Sequence, residues 1–320
     1  MKNEKTLKDF QNYYDQRYNT GYNPQWPVEQ KQRVFDLLRS LDLPETGSVL
    51  DFGCGRGEFS KIIKQALPNW NVFGVDISSI AVEDAKKNCQ ECSFSVLTQI
   101  SAIDQKFDLV FSNHVLEHVD DLGQTWAEMN QLFKQKAWFL LILPCGNAGS
   151  FEYKLCMLQK NGIEKDKGNR FYNEDETHLR RLTSDEMNRI VLRNDFKPVF
   201  NYFNNHFYGA IYWITIGKPW GMWAFFNPTG AKDFISGLKL IGFYCLFMLI
   251  KCLKFPANTI DYKKATMKSS NYWLFFVIFL LFYPFSKLIK IYLDYKAKQE
   301  WDKNKTKPTG SEMYLFYSRG

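Results

Sequence analysis

Val49 to Ser60 reads VLDFGCGRGEFS, so Gly53, Gly55 and Gly57 fall within five residues, just behind Asp51. An apolar run, a bare turn and a helix-forming stretch, in that order, make a nucleoside- or phosphate-binding layout. A main chain without Cβ atoms lets a ligand come close at the amino end of a helix. A dinucleotide fingerprint sets its third glycine deeper in the helix, as G-x-G-x-x-G, and the G-x-G-x-G spacing here departs from it. A second acid, Asp76, lies in the next apolar run, NVFGVDIS. His114 and His118 are four residues apart in SNHVLEHVDD and would share a face of a helical turn, with Glu117 beside them. If no metal binds there, His114 is the general-base candidate. The plainer role for His118 is packing and hydrogen bonding beneath the glycine loop.

These residues need elements to carry them. From Gly47 to Pro144, SVLDFG, NVFGVDIS, CSFSVL, KFDLVFS and AWFLLILP read as strands. Between them, GEFSKIIKQAL, SIAVEDAKKNC and DLGQTWAEMNQLFKQ read as helices. Unbroken Val/Ile/Leu/Phe runs predict strands buried on both faces, hence an α/β fold with a doubly wound parallel sheet. Further on, TSDEMNRIVLRNDF predicts a helix with a Thr183/Glu186 capping box, KPVFNYF a sixth strand and EMYLFYSRG the last one. Asp51, Asp76 and the histidine segment then fall at the carboxyl edge of the sheet, where such folds bind ligands.

With Asp51-x-Gly53-x-Gly55-x-Gly57 and Asp76 in GVDIS, residues 46–145 resemble the class I S-adenosylmethionine-dependent methyltransferases, and the likeness extends weakly to residue 206. The resemblance implies a Rossmann-like seven-stranded sheet and S-adenosylmethionine as cofactor. A methionine-nucleoside has no pyrophosphate but carries a carboxylate, an ammonium and a sulfonium, which call for both amides and acids. By resemblance, Gly53–Gly57 lie against the aminoacyl end, Asp51 near the ammonium, Asp76 on the ribose hydroxyls, and Ile77 on the adenine face; Asn113 joins the cofactor set. Many relatives have an acid after strand three for the adenine amino group. VLTQISAID has none before Asp104, so Thr98, Gln99 or a backbone carbonyl would serve. His114-x-x-Glu117-His118 with the distant His178 is similar to the E-x-x-E-H…H metal set of small-RNA end methyltransferases and of ubiquinone-pathway O-methyltransferases. In those enzymes a divalent ion binds substrate hydroxyls. Histidine in the first position favours a zinc-like ion over magnesium. FQNYYDQRYNTGYNPQW resembles an aromatic lid over the cofactor, with Tyr14 and Tyr18 as its members; a loosely packed surface helix is the alternative.

Charge and hydropathy divide the chain. Residues 207–310 hold 15 Lys, no Arg and 5 acids, a surplus of ten, while the remainder holds 26 basic and 29 acidic residues, a deficit of three. Basic surplus beside apolar runs suits an anionic lipid surface and argues against nucleic acid. Two apolar stretches occur there, roughly Phe234–Phe255 and Tyr272–Tyr292; the second is uncharged from Ser269 to Ser286, 18 residues, the first only from Leu240 to Ile250, 11 residues. A helix that crosses a bilayer needs about 20 apolar residues. A strand on each side of the insertion requires an even number of crossings or none. Helices lying in the interface suit the lysines better than a two-helix hairpin, whose connecting segment would carry five of them outward. Trp213, Trp220, Trp223 and Trp273 would then sit at headgroup level. The polar amino terminus predicts no cleavable signal peptide. Cys89 and Cys92 form a C-x-x-C without the partners of a zinc set, so free thiols and a cytosolic setting are expected.

The expected organisation is a helical lid at 1–45, a methyltransferase domain at 46–206 plus 311–320, and a membrane-associated insertion at 207–310. The expected reaction is O-methylation of a small-molecule, lipid-like or lipid-linked acceptor on the cytoplasmic side of a membrane. The alternatives are methylation of RNA ends and a non-catalytic cofactor-binding scaffold.

Overall fold

Strands covered on both faces are apolar throughout, and the central strands of this chain have that character: β1 (Gly47–Phe52) is buried from its second residue onward. The computed structural model describes residues 7–20, 26–174, 177–216, 219–266 and 273–320. Tyr272 and the side chains of Trp220 and Trp273 lie outside the described residues. Helices α1 (Leu7–Asn19) and α2 (Val28–Ser40) precede β1. Then follow α3 (Glu58–Ala66), β2 (Trp70–Asp76), α4 (Ser79–Asn88), β3 (Ser93–Val96), β4 (Phe107–Asn113), α5 (Leu122–Asn130) and β5 (Phe133–Pro144). Next come α6 (Phe151–Cys156), the short strands β6 (Ile163–Glu164) and β7 (Arg170–Phe171), α7 (Ser184–Val191) and β8 (Phe196–Asn204). The chain continues through α8 (Tyr208–Ile216), α9 (Pro219–Phe226), α10 (Phe234–Thr266) and α11 (Trp273–Asn304) to β9 (Glu312–Arg319).

One seven-stranded sheet has the order β3-β2-β1-β4-β5-β9-β8. The pairs β1–β2, β1–β4, β2–β3 and β4–β5 are parallel. Phe52 pairs with Val75 on one side and Ser112 on the other, so Gly53, Asp76 and Asn113 all stand one residue past the same level. The strand order reverses between β1 and β4, the place where such sheets bind ligands. As the sequence predicts, the last strand belongs to this sheet and the aromatic and apolar stretches lie between it and β8.

Two local expectations change. The fifth strand starts at Phe133, four residues before the predicted AWFLLILP run. Its polar opening pairs Phe133 with Phe107, the register then shifts, and Lys134 Nζ meets Asp108 Oδ2 at 2.8 Å. Phe133 also packs edge-on against Phe196, with ring centroids 4.9 Å apart. Cys89 and Cys92 are joined in a disulfide rather than left as free thiols. The turn at the end of α4, where Cys92 N–H donates to Cys89 O at 3.3 Å, brings their Cα atoms within 5.5 Å.

The chain forms two compact units: Met1–Leu143 with Asp185–Asn201 and Tyr314–Gly320, and Pro144–Ser184 with Tyr202–Met313. Residues 207–310 fall wholly within the second, which also takes in 144–184. In that second unit, Phe151, Leu155, Ala210, Ile211, Ile214, Met222, Phe226, Leu240 and Phe247 make one buried cluster, so α10 packs one side against α6, α8 and α9. Phe151 and Phe247 stack with centroids 5.5 Å apart. Buried Arg181 donates to the carbonyls of Cys145 and Ser311, both at 2.9 Å, and pairs with Glu152 and Glu174. Glu300 of α11 accepts the N–H groups of Phe207, Tyr208 and Gly209 at 3.0–3.2 Å, which caps α8. The lysines of α10 are not all turned outward. Lys251 Nζ donates to Thr215 O at 2.7 Å, and Lys254, 3% exposed, lies 3.5 Å from Thr215 Oγ1. The carbonyl end of α8 attracts these cations, so they are not available to lipid headgroups.

Candidate active site

The glycine turn leaves β1 with no room for side chains. Gly53 has φ +79°, and a Cβ there would lie 2.3 Å from Val115 Cγ2. Gly55 has φ +50°, and its Cβ would lie 2.9 Å from the Tyr18 hydroxyl. Only glycine takes such angles freely. The N–H groups of Gly53 and Cys54 donate to Val75 O at 2.8 and 2.9 Å, which ties the turn to β2.

Two acids lie beneath and beside this turn. Asp76 Oδ2 accepts Gly55 N–H at 2.8 Å and Oδ1 accepts Ser78 N–H at 2.9 Å. Burial raises its carboxyl to about 6, although the two amides pull it down. Asp51 is 1% exposed and accepts the Ser60 hydroxyl at 2.5 Å. Burial raises it to about 7, against the Ser60 hydrogen bond. Ile77 follows Asp76 and is half-buried. Asn113 is buried at the end of β4, and its Oδ1 has no hydrogen-bond partner among the described residues. Thr98 and Gln99 line a cavity of about 270 Å³ that runs back to Phe73 and Phe107.

These features fit a methionine-nucleoside. A Cβ-free cradle, two carboxylates and an orphaned amide oxygen offer close approach, countercharge and acceptors.

The histidine segment is tighter than the expected helical turn. His118 N–H donates to Val115 O at 2.9 Å, closing a single turn. His114 stands just before it with φ +55° and gives its own N–H to Ile142 O at 2.9 Å. Spacing alone therefore does not set which way the two imidazoles face. His114 Nδ1 lies 3.0 Å from Oε1 of Glu117, which is 2% exposed while His114 is 22% exposed. A buried carboxylate behind a partly exposed imidazole is an acid–base arrangement. His178 belongs to the second unit, where its Nδ1 is 3.5 Å from Glu174 Oε1 and its carbonyl accepts from Arg170 at 3.1 Å.

Several contributors were not legible in the sequence. The Trp26 ring lies 5.4 Å from His114 and 5.6 Å from Phe59. Arg56 donates to Tyr18 O at 2.9 Å, with its guanidinium 5.5 Å from the Tyr18 ring. Tyr14 stands edge-on to His118 at 6.3 Å. Tyr14 and Tyr18, the two tyrosines singled out in the sequence, both lie on α1. Ser60, bonded to Asp51, and Ser78, bonded to both Asp76 and Asp15, carry no signal beyond being serines after the turns.

Comparison with known proteins shows the family. A family model described as a methyltransferase domain matches residues 28–200. The ribosomal RNA small subunit methyltransferase C of Haemophilus influenzae is 32% identical over 108 residues, 32% of each chain. The malonyl-[acyl-carrier protein] O-methyltransferase of Acetivibrio thermocellus is 32% identical over 110 residues, 33% of this chain and 39% of its own. The chain therefore spans about a third of the length of these curated relatives. The magnesium protoporphyrin IX methyltransferase of Synechocystis, solved with bound S-adenosylhomocysteine, aligns with TM-score 0.46 and 21% identity over 62% of this chain and 93% of its own. The family match covers more than half of the 320 residues and carries the strands that hold the glycine turn and both acids, so the chain belongs to the class I S-adenosylmethionine-dependent methyltransferases.

Proposed function

We infer that this protein methylates a hydroxyl on a lipid-like or lipid-linked acceptor at a membrane surface. The observation that carries the acceptor class is the outer side of the helical insertion. Phe234, 78% exposed, Ile235, Leu238, Ile241, Leu249 and Phe255 leave the far side of α10 apolar and uncovered. On α11, Leu281, Phe285, Leu288 and Ile291 do the same. Scattered exposed apolar residues are ordinary, but a continuous series of this kind marks an interaction surface. Among the described residues, Phe234–Ile260 is the one helix long and apolar enough to cross a membrane, with mean hydropathy 1.7. Its other side packs on the cluster around Phe151 and Phe247, which favours a helix lying in the interface over one surrounded by lipid. The surplus of ten positive charges in 207–310, still eight without Lys251 and Lys254, suits anionic headgroups.

S-adenosylmethionine supplies a sulfonium methyl group for in-line transfer. Gly53–Gly57 admit its aminoacyl end, Asp51 offers countercharge, and Asp76 offers acceptors for the ribose. His114 would take the proton of the acceptor hydroxyl as its oxygen bonds to the methyl carbon and the carbon–sulfur bond breaks, with neutral S-adenosylhomocysteine as the leaving group, and Glu117 would stabilise the resulting imidazolium.

A second reading has support: the likeness to the ribosomal RNA methyltransferase over 108 residues favours an RNA acceptor. Incubation of the full chain with methyl-labelled S-adenosylmethionine and either total membrane lipid or total RNA separates the two. Label in the lipid fraction is expected. Label confined to RNA overturns the lipid reading, and no transfer to either supports the cofactor-binding scaffold.

A further inference from the structure

Helix α1 is fastened to the cofactor side of the first unit by one carboxylate. Asp15 Oδ1 accepts the Ser78 hydroxyl at 2.5 Å and Ile80 N–H at 3.3 Å, while Oδ2 accepts the Ser79 hydroxyl at 3.1 Å. These groups form the first turn of α4, so a side chain from a distant helix caps it. Ser78 holds a position between two acids. Its hydroxyl donates to Asp15, while its backbone N–H donates to Asp76 Oδ1 at 2.9 Å. Its Oγ also accepts Ala81 N–H at 3.2 Å, so it completes the α4 cap itself. On either side of Asp15, Tyr14 reaches the His118 ring and Tyr18 reaches Gly55 and Arg56.

We propose that Asp15 is a positioning residue for the transfer reaction: through Ser78 it latches α1 over the glycine turn and couples that latch to the ribose acid Asp76. The role rests on the reading of the cofactor site given above. Asp76 and Asp15 grip the same serine through different atoms. When Asp76 is drawn toward a ribose, Ser78 transmits the change to the latch. When α1 lifts, Ser78 loses a partner and Asp76 loses part of its support. The latch therefore governs how long the nucleoside product stays bound more than how fast it enters.

The test uses the full chain with S-adenosylhomocysteine as probe. Asp15→Ala should raise the dissociation rate in stopped-flow displacement by about 2- to 30-fold, the range expected for a lost helix cap, with little change in the association rate. Asp15→Glu should recover part of the effect. Ser78→Ala combined with Asp15→Ala should be no worse than the poorer single variant, because both break one link. Without any ligand, hydrogen exchange across residues 7–19 should speed up in Asp15→Ala while the melting temperature stays near wild type. An unchanged dissociation rate, unchanged α1 exchange or full additivity of the two substitutions each overturns the proposal. Wild-type protein that fails to bind S-adenosylhomocysteine overturns the cofactor site instead, and α1 exchange still judges the latch by itself.

Discussion

Replacing Asp76 by Asn should weaken cofactor binding and relieve the fold at the same time. In the folded chain Asp76 is raised from 3.8 to about 6, chiefly by burial. That difference corresponds to about 3 kcal/mol. Because the folded value lies above the unfolded one, the contribution to stability is fully present below pH 3.8 and is lost as pH rises through about 6. Asn cannot ionise and escapes this loss. Relative to wild type, Asp76→Asn should therefore gain stability steadily between about pH 4 and pH 7, whatever constant offset follows from altered bonding to Gly55 and Ser78. Binding should move the other way. Two ribose hydroxyls donating to a carboxylate are worth about 1.5–3 kcal/mol each, and Asn keeps one neutral acceptor. The net loss of about 2–4 kcal/mol corresponds to about 30- to 1,000-fold in affinity. Calorimetric titration with S-adenosylhomocysteine at neutral pH, beside thermal melts across that pH range, measures both. Wild-type affinity in Asp76→Asn would refute the ribose assignment. Parallel melting curves at every pH would refute the buried, raised carboxyl.

Other outcomes follow from the same geometry. Gly53→Ala should lose about 2–5 kcal/mol in chemical denaturation, since its methyl would meet Val115 at 2.3 Å on a left-handed backbone; a wild-type midpoint contradicts the close turn. His114→Ala and Glu117→Gln should each lower kcat about 100-fold or more while leaving S-adenosylhomocysteine affinity within about twofold; equal losses in both quantities would make them binding residues. Dialysis against EDTA should leave turnover intact if the His114–Glu117 pair is the base, and activity that vanishes and returns with zinc would show that the donors hold an ion. Replacing Phe234, Leu238 and Ile241 together by Ser should abolish co-sedimentation with anionic vesicles without lowering cofactor affinity; undiminished sedimentation refutes the docking surface.

The residues proposed to hold the cofactor stand out in the sequence because their signals are local. Asp51, the three glycines and Asp76 sit at the ends of apolar runs, and strand pairing brings those ends level. The early start of β5 was hidden by Lys134 and Lys136, which read as helix or loop until Asp108 and an irregular register accommodate them. The turn at Leu116–His118 was hidden because four-residue spacing fits a helix equally well, and only the left-handed backbone of His114 distinguishes the two. Asp15 was invisible for another reason. Its partners lie more than 60 residues away, and nothing in FQNYYDQRYN marks which acid will find them. Lys251 and Lys254 read as headgroup contacts because the sequence does not show the exposed carbonyl end of α8.

The place of β9 has a consequence for biogenesis. It follows α10 and α11 in the chain, yet it lies inside the sheet, between β5 and β8. A ribosome must therefore deliver α10 and α11 before the catalytic sheet can close. If the helices dock on lipid as proposed, they can do so while the sheet still lacks an interior strand, and docking would then precede closure of the sheet in the order of synthesis.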